Sequence, residues 1–269
     1  MPNVYHIVVC GSIVPDPLQT LEPVESPAGP SLKNEMMLPA VLDPWASHAL
    51  YEAAELVKKC PGSKVWLVSV APKAKLQQVM MNIAQKVPFE LVAVEGASSG
   101  FMEAADTANA LATAIDGIAD LDKSRLLLFG GWESASRGAG AVMQMLGEKL
   151  HVTEQFQGVD VLEVGDDDQF LIKERIEGGS YQVNETSGCP VLLGWATGNL
   201  PEPKNNPQVG MLNMRTVMPA LQRATKADIT TGDVDYKSVS LPKQKRETRV
   251  EKNMLADAIA DEIVTWLNE

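Results

Sequence analysis

HIVVCGSIVPDP, the stretch from His6 to Pro17, decides the fold. Ile7 to Cys10 read as a buried strand that runs straight into Gly11-Ser12, and Val-Pro-Asp-Pro leaves no room for a helix to follow at once. Ending a first buried strand on so small and flexible a pair predicts that something lies against the backbone there. Similar apolar runs recur as KVWLVSV (Lys64 to Val70), ELVAV (from Glu90) and SRLLLFG (Ser124 to Gly130). Helical patterns separate them. Asp43 suits an N-cap and Pro44 the first helical position, with Ala46, Leu50, Ala53 and Val57 at helical spacing behind them. Further helices are expected from Lys73 to Gln85, Glu103 to Ala119 and Gly138 to Leu150. Short apolar strands alternating with helices predict an α/β fold with a parallel sheet covered on both faces. Ligands of such sheets lie at the carboxyl ends of the strands, here Cys10-Gly11, Val70-Ala71 and Phe129-Gly130-Gly131.

The pattern changes after His151. VDVLEV and QFLIKERIEGG read as two strands joined by the acidic turn at 166–168, and CPVLLGW as a further buried strand. Residues 15 to 39 are rich in proline and are expected to form a loop. From Ala196 to Lys252 periodicity is weak except for a short helix near Met218 to Ala224, which suits an arm lying on another subunit. Helical spacing returns through Leu255, Ile259, Ile263 and Trp266-Leu267. The expected organisation is an α/β domain over 1–195, an extended arm with a loop over 196–252, and a terminal helix over 253–269 that packs on a partner.

The chain has 269 residues, 45% of them apolar and 22% charged, with a formal net charge of −12. That is the composition of a globular domain, and its sign disfavours general nucleic-acid binding. Cys10, Cys60 and Cys189 are too far apart for a zinc ribbon or an iron–sulfur cluster. No apolar run reaches membrane length and no signal-peptide pattern opens the chain, so direct membrane insertion is not expected and a cytoplasmic location is.

GASSG (Gly96 to Gly100) matches G-x-S-x-G, but a hydrolase would also need a histidine after Ser98, and His151 is the only one. A loop accounts for it better. There is no Walker A sequence and no GxGxxG. The triple aspartate at 166–168 reads as a solvated turn tip rather than a metal site. GGWESASRGAG (Gly130 to Gly140) carries more chemistry. It follows a strand and opens a helix, and helix N–H groups with Ser134, Ser136 and Arg137 suit a phosphate. An N-cap loop with a solvent-facing arginine would use the same residues; Gly11-Ser12, facing the same crevice, favours the phosphate.

Five stretches, in order, resemble the β subunit of electron transfer flavoproteins. IVVCGSIVPD is similar to that family's opening strand and loop, DPWASHALYEAAEL to its NPF-type helix start, and KVWLVSVAP to its VxxVSxGP strand. KERIEGG followed by CPVLLG resembles the family's Gly-Gly turn and Pro-led strand, and NLPEPK (Asn199 to Lys204) its LNEPRY stretch. The resemblance implies a Rossmann-like fold of the adenine nucleotide α-hydrolase type and an electron carrier with no substrate chemistry of its own. It implies a heterodimer with an α subunit that holds most of the FAD, and AMP, or a second FAD, in this chain's crevice. Cys10, Gly11, Ser12, Asp43, Pro44, Trp45, Ala46 and Val70 would line that site. So would Gly130, Gly131, Trp132, Ser134, Ser136, Arg137 and Gly138 in the 130–138 loop, with Trp45 close to the partner's flavin. Leu200, with Pro201, Glu202 and Pro203, would form an exposed loop that docks a dehydrogenase, and electrons would pass on to a quinone-linked oxidoreductase. Two departures stand out: Gly11-Ser12-Ile13 replaces the family's Val-Lys-Gln, removing a positive charge, and Ser136-Arg137-Gly138 replaces its Asp-rich loop and Thr-Gly step. An adenine-nucleotide enzyme or a regulatory nucleotide-binding module on the same fold are the alternatives.

Overall fold

The computed structural model describes residues 3–26, 29–232, 237–238 and 249–268. Strand β1 (His6–Cys10) leads through β2 (Ile13–Pro15), β3 (Pro23–Ser26), β4 (Gly29–Leu32) and β5 (Ala40–Leu42) to helix α1 (Pro44–Lys59). Next come β6 (Lys64–Ala71), α2 (Lys73–Ile83), β7 (Glu90–Glu95), α3 (Ala104–Asp116), β8 (Leu126–Gly131) and α4 (Ala141–Lys149). The chain continues as β9 (Glu154–Val164), β10 (Gln169–Arg175), β11 (Tyr181–Ser187), β12 (Val191–Trp195), α5 (Pro207–Gln222), β13 (Thr225–Lys226) and α6 (Ala256–Asn268).

The main sheet has the order β11-β10-β9-β12-β8-β1-β6-β7-β13. It is parallel from β9 to β13, and β10 alone runs against the other strands, pairing antiparallel with both β9 and β11. β1 lies at its centre and alternates strictly: Ile7 and Val9 enter the core under α1, while Val8 and Cys10 enter the core under α3 and α4. Each such buried aliphatic side chain contributes roughly 1.5–3 kcal/mol, so the centre of the sheet is anchored on both faces. From β1 the chain winds outward through β6 and β7, then returns to the other side of β1 as β8. A crevice must open at that reversal, at the carboxyl ends of β1 and β8.

Helix α1 begins where the capping chemistry dictates. The Asp43 carboxylate accepts from Trp45 N at 3.1 Å, Pro44 follows, and Lys58 and Lys59 occupy the last turn, where cations complement the helix dipole. The remaining helices start or stop within a few residues of expectation, except that α4 begins at Ala141 rather than Gly138.

Three segments differ from the sequence expectation. Residues 15–39 are not simply a loop: β3 and β4 pair antiparallel, and β2 pairs with β5 at their base. β11 forms a sheet edge that the polar stretch YQVNETS does not announce. Finally, the arm expected over 196–252 contains the 16-residue helix α5. Asn206 caps it, accepting from Gln208 N at 3.0 Å, and Gly210, Asn213, Val217 and Leu221 form its buried face. Only its end, near Met218, is expected from the sequence; Gly210 and Asn213 read as helix breakers, and Asn213 is satisfied by donating to the carbonyls of Ala84 and Val87 at 2.7 Å each. With α5 and β13 docked, the packed unit runs past residue 195. Residues 233–236 and 239–248 of the expected arm lie outside the described residues. The terminal helix expected over 253–269, α6, buries no side chain.

Candidate functional site

The crevice at the strand reversal is a cleft of about 890 Å³. Its floor is the end of β1, where Cys10 is buried and desolvation pushes its thiol up to about 12. That thiol is an inert apolar surface. One wall is the loop after β7, from Ala97 to Glu103, and another is the loop after β8, from Gly131 to Gly140. Leu21, Pro23, Leu32 and Glu35 of the proline-rich excursion overhang the opening.

Of the residues expected to line a nucleotide site, the cleft brings together Cys10, Gly11, Ser12, Asp43, Ala46, Val70, Gly131, Ser134, Ser136 and Arg137. Pro44, Trp45, Gly130, Trp132 and Gly138 are not among its lining residues, and packing explains why. A Cβ on Gly131 would come within 2.8 Å of the Trp45 Cβ, so the base of this side chain packs on the loop after β8, and Trp45 is half-buried outside the cleft lining. Gly130 makes room for the Met143 thioether, and Gly138 turns the loop with a φ of +68°. Trp132 lies against Gly158, with its indole N–H buried and unpartnered.

A side chain at Gly11 would meet Leu42 Cδ1 at 2.7 Å and Leu67 Cδ1 at 3.1 Å. The Leu42 and Leu67 methyl groups must shift to admit a side chain, so the core beneath Gly11 is a reason for its smallness alongside its place in the cleft lining. Gly11→Val is accordingly expected to lower stability by about 2–3 kcal/mol through overpacking, measured by thermal melting; an unchanged midpoint would show that Leu42 and Leu67 can make room.

Asp43 is the residue on which the site's shape depends. Its carboxylate is 1% exposed and accepts from Trp45 N, from Ser134 Oγ at 3.0 Å and from Ala135 N at 2.9 Å. Burial raises its pKa and these donors partly offset the rise. Asp43 thus ties the start of α1 to the loop after β8, instead of facing a ligand. The Ser134 hydroxyl is spent in the same network, within 2.9 Å of Ser136 Oγ.

Anion-binding capacity lies further along the loop. Gly140 is the N-cap of α4 and supplies no side-chain cap, and Gly140, Ala141, Val142 and Met143 face the cleft. Uncapped helix N–H groups carry partial positive charge. Arg137, exposed beside them, is the sole cation among the lining residues, against the carboxylates of Glu35, Asp43, Glu103 and Glu133. Cys10, Val70, Ala97, Phe101 and Val142 offer apolar surface of a kind that suits a base. The residues present fit an adenylate: a flat apolar portion in the cleft and a phosphate on Arg137, Ser136 and the α4 N-terminus.

The overlooked half of the cleft is the wall from Ala97 to Glu103 and the β3–β4 overhang. The first was legible in principle, because it follows a parallel strand's carboxyl end; GASSG drew attention only as a nucleophile pattern. Ser98 Oγ in fact donates to the Ile13 carbonyl at 3.2 Å, and no histidine is among the lining residues. Among the described residues no cluster of His, Cys, Asp and Glu could hold a metal ion, and no helix is long and apolar enough to cross a membrane.

The loop carrying Leu200 is tethered more firmly than expected. Glu52 accepts from Asn199 N at 3.1 Å, Asn199 Nδ2 donates to the Asp160 carbonyl at 3.2 Å, and Glu202 pairs with Lys86. Leu200 is half-buried, so it is only partly the exposed anchor the sequence suggested. Behind it the Asp160 carboxylate accepts from Arg175 Nε at 2.9 Å, Tyr181 OH at 3.1 Å and Thr197 N at 3.1 Å. Burial alone would raise the Asp160 pKa, but these donors outweigh it and hold the group below its ordinary 3.8. A depressed folded value stabilises the fold above the ordinary pKa and is lost as pH falls through the folded one. The wild-type melting temperature should therefore drop as pH falls below about 4, and the drop should be shallower in Asp160→Ala. Parallel pH profiles of the two would refute this.

No curated protein matches the chain closely enough to count as a relative. The family model described as the electron transfer flavoprotein domain matches residues 34–235, a span that runs from the overhang through both walls of the cleft to β13. With the mostly parallel sheet and its flanking helices arranged as described, the chain belongs to the electron transfer flavoprotein family, whose members carry electrons rather than transform substrates.

Proposed function

We propose that this chain is the β-type subunit of an electron transfer flavoprotein, joined to an FAD-bearing α-type subunit and holding an adenylate in its own cleft. The observation that carries the reading is the coincidence, at one strand reversal, of an apolar crevice with a lone arginine beside an uncapped helix start. In this reading Arg137, Ser136 and the N–H groups opening α4 hold the phosphate, and the apolar cleft residues hold the base. A single phosphate suits a lining that carries one guanidinium and several carboxylates, which favours AMP over a second FAD.

The FAD, held mainly by the partner subunit, supplies the redox chemistry. This chain's residues position and shield. Asp43 fixes the α1 start and with it Trp45, the half-buried indole that would face the partner's flavin. Leu200, Pro201, Glu202 and Pro203, held by Glu52 and Lys86, offer a dehydrogenase a preformed docking loop whose fixed geometry reduces the ordering cost of transient binding. Electrons would leave toward a quinone-linked oxidoreductase. The terminal helix α6, with its apolar face uncovered, would lie on the α-type subunit, and the location would be cytoplasmic.

Co-expression with an α-type subunit tests this. The expected product is a yellow heterodimer that releases FAD and AMP on heating, identified by mass. A colourless complex, or no complex, would overturn the reading; release of FAD alone would remove the adenylate from it.

A further inference from the structure

Two walls of the cleft touch where Gly100 meets Ser136. A Cβ on Gly100, in the loop after β7, would lie 2.7 Å from the Ser136 carbonyl oxygen and 3.6 Å from the Ser136 Cβ. Beside this contact Arg137 Nη1 donates to the Met102 carbonyl at 3.1 Å, crossing from one loop to the other. Both loops are held from behind. Asp43 anchors Ser134 and Ala135. On the other side Glu103 N donates to the Thr230 carbonyl at 2.7 Å, and Thr230 Oγ1 donates to Asp106 at 2.8 Å. Two anchored loops meeting at a glycine and one side-chain bridge make a seam, and the bridge is its one long, rotatable element.

We propose that Arg137 latches this seam and that a nucleotide passes in and out between Gly100 and Ser136. The proposal rests on the adenylate reading of the cleft. A guanidinium has five N–H donors in a fixed fork, so Arg137 can keep the Met102 carbonyl while other donors turn to a phosphate. A ligand that engages Arg137 in this pose binds the closed seam better than the open one, and only such differential affinity can shift the closure. Occupancy and closure are thereby coupled through one residue.

The seam can be locked. The 3.6 Å between the built Gly100 Cβ and the Ser136 Cβ falls within the separation a disulfide spans, so the full-length double variant Gly100→Cys/Ser136→Cys should crosslink on oxidation. With radiolabelled AMP as the probe, oxidation is expected to slow both uptake and release by at least about 30-fold relative to the same double variant in its reduced form, as gating requires, and dithiothreitol should return both rates to those of that reduced form. Gly100→Ala is the opposite test, a wedge against the Ser136 carbonyl. It should raise both rates, release by about 10-fold and uptake by less, so that Kd weakens because the closed seam is the tighter-binding state. If the crosslink does not form, the wedge alone decides. AMP exchange at the unmodified rate in the locked form, or in the wedge variant, overturns the latch and leaves the nucleotide reading standing. Failure of the unmodified chain to bind AMP overturns that reading and the latch with it.

Discussion

Asp43→Ala should lower the melting temperature by about 10 °C, the largest change expected from any single substitution in the site. Three losses add. The N-cap of α1 is removed, at about 1 kcal/mol. The Ser134 hydroxyl and the Ala135 N–H lose a buried acceptor, and a stranded donor costs about 1–3 kcal/mol. Ser134 and Ala135 are only half-buried, so the low end applies: together these give roughly 3–4 kcal/mol, and each kcal/mol moves the midpoint of a chain this size by about 2–4 °C. Asp43→Asn should fall between, because one oxygen remains while the amide N–H₂ meets the donors that the second oxygen satisfied. Differential scanning calorimetry reads the result, and a shift under about 3 °C would mean the network relaxes onto water. If the Proposed function holds, the loop after β8 also loses its anchor, and AMP retention should fall in the same variant.

The second large effect concerns association and leaves the fold alone. In α6, Ile263 is 45% exposed, Trp266 60% and Leu267 79%, and no residue of the helix is buried. Apolar side chains in such a row have no packing to lose within this chain. The double variant Ile263→Glu/Trp266→Glu should therefore change the stability of the isolated chain by less than about 0.5 kcal/mol. Its association with an α-type subunit should weaken about 100-fold, because buried aromatic anchors dominate interface energy. Calorimetric titration of the two subunits measures the second effect and a thermal melt the first. Unchanged association would place the partner's surface elsewhere; a large loss of intrinsic stability would mean that α6 packs on its own domain.

Much of the fold was legible because parallel strands announce themselves. Val8 and Cys10 face one core and Ile7 and Val9 the other, and a strand buried on both sides must be apolar throughout. Helix α1 was legible for a different reason: Asp-Pro before an apolar stripe satisfies orphan N–H groups locally, with no help from distant residues. α5 failed on the same logic. Its buried face contains Asn213, whose amide is satisfied only by carbonyls more than 120 residues away in sequence, so the residue looks like a breaker until the fold supplies its partners. The packing of Leu42 and Leu67 against Gly11 was not legible for a similar reason, since neither lies near it in sequence.

The sequence by itself determined the layered α/β architecture, the strand ends where a ligand can approach, and the placing of Arg137 and its serines on the loop before α4. These depend on apolar periodicity, capping and glycine spacing, all of which act over a few residues. Only the tertiary structure decided which of those residues share the cleft. It turned Asp43 inward as a brace, set the Trp45 Cβ against Gly131, and brought Gly100 against Ser136. Each of these is a contact between segments tens of residues apart, set by the strand reversal at β1 and by close packing, in which a single methyl group has nowhere to go.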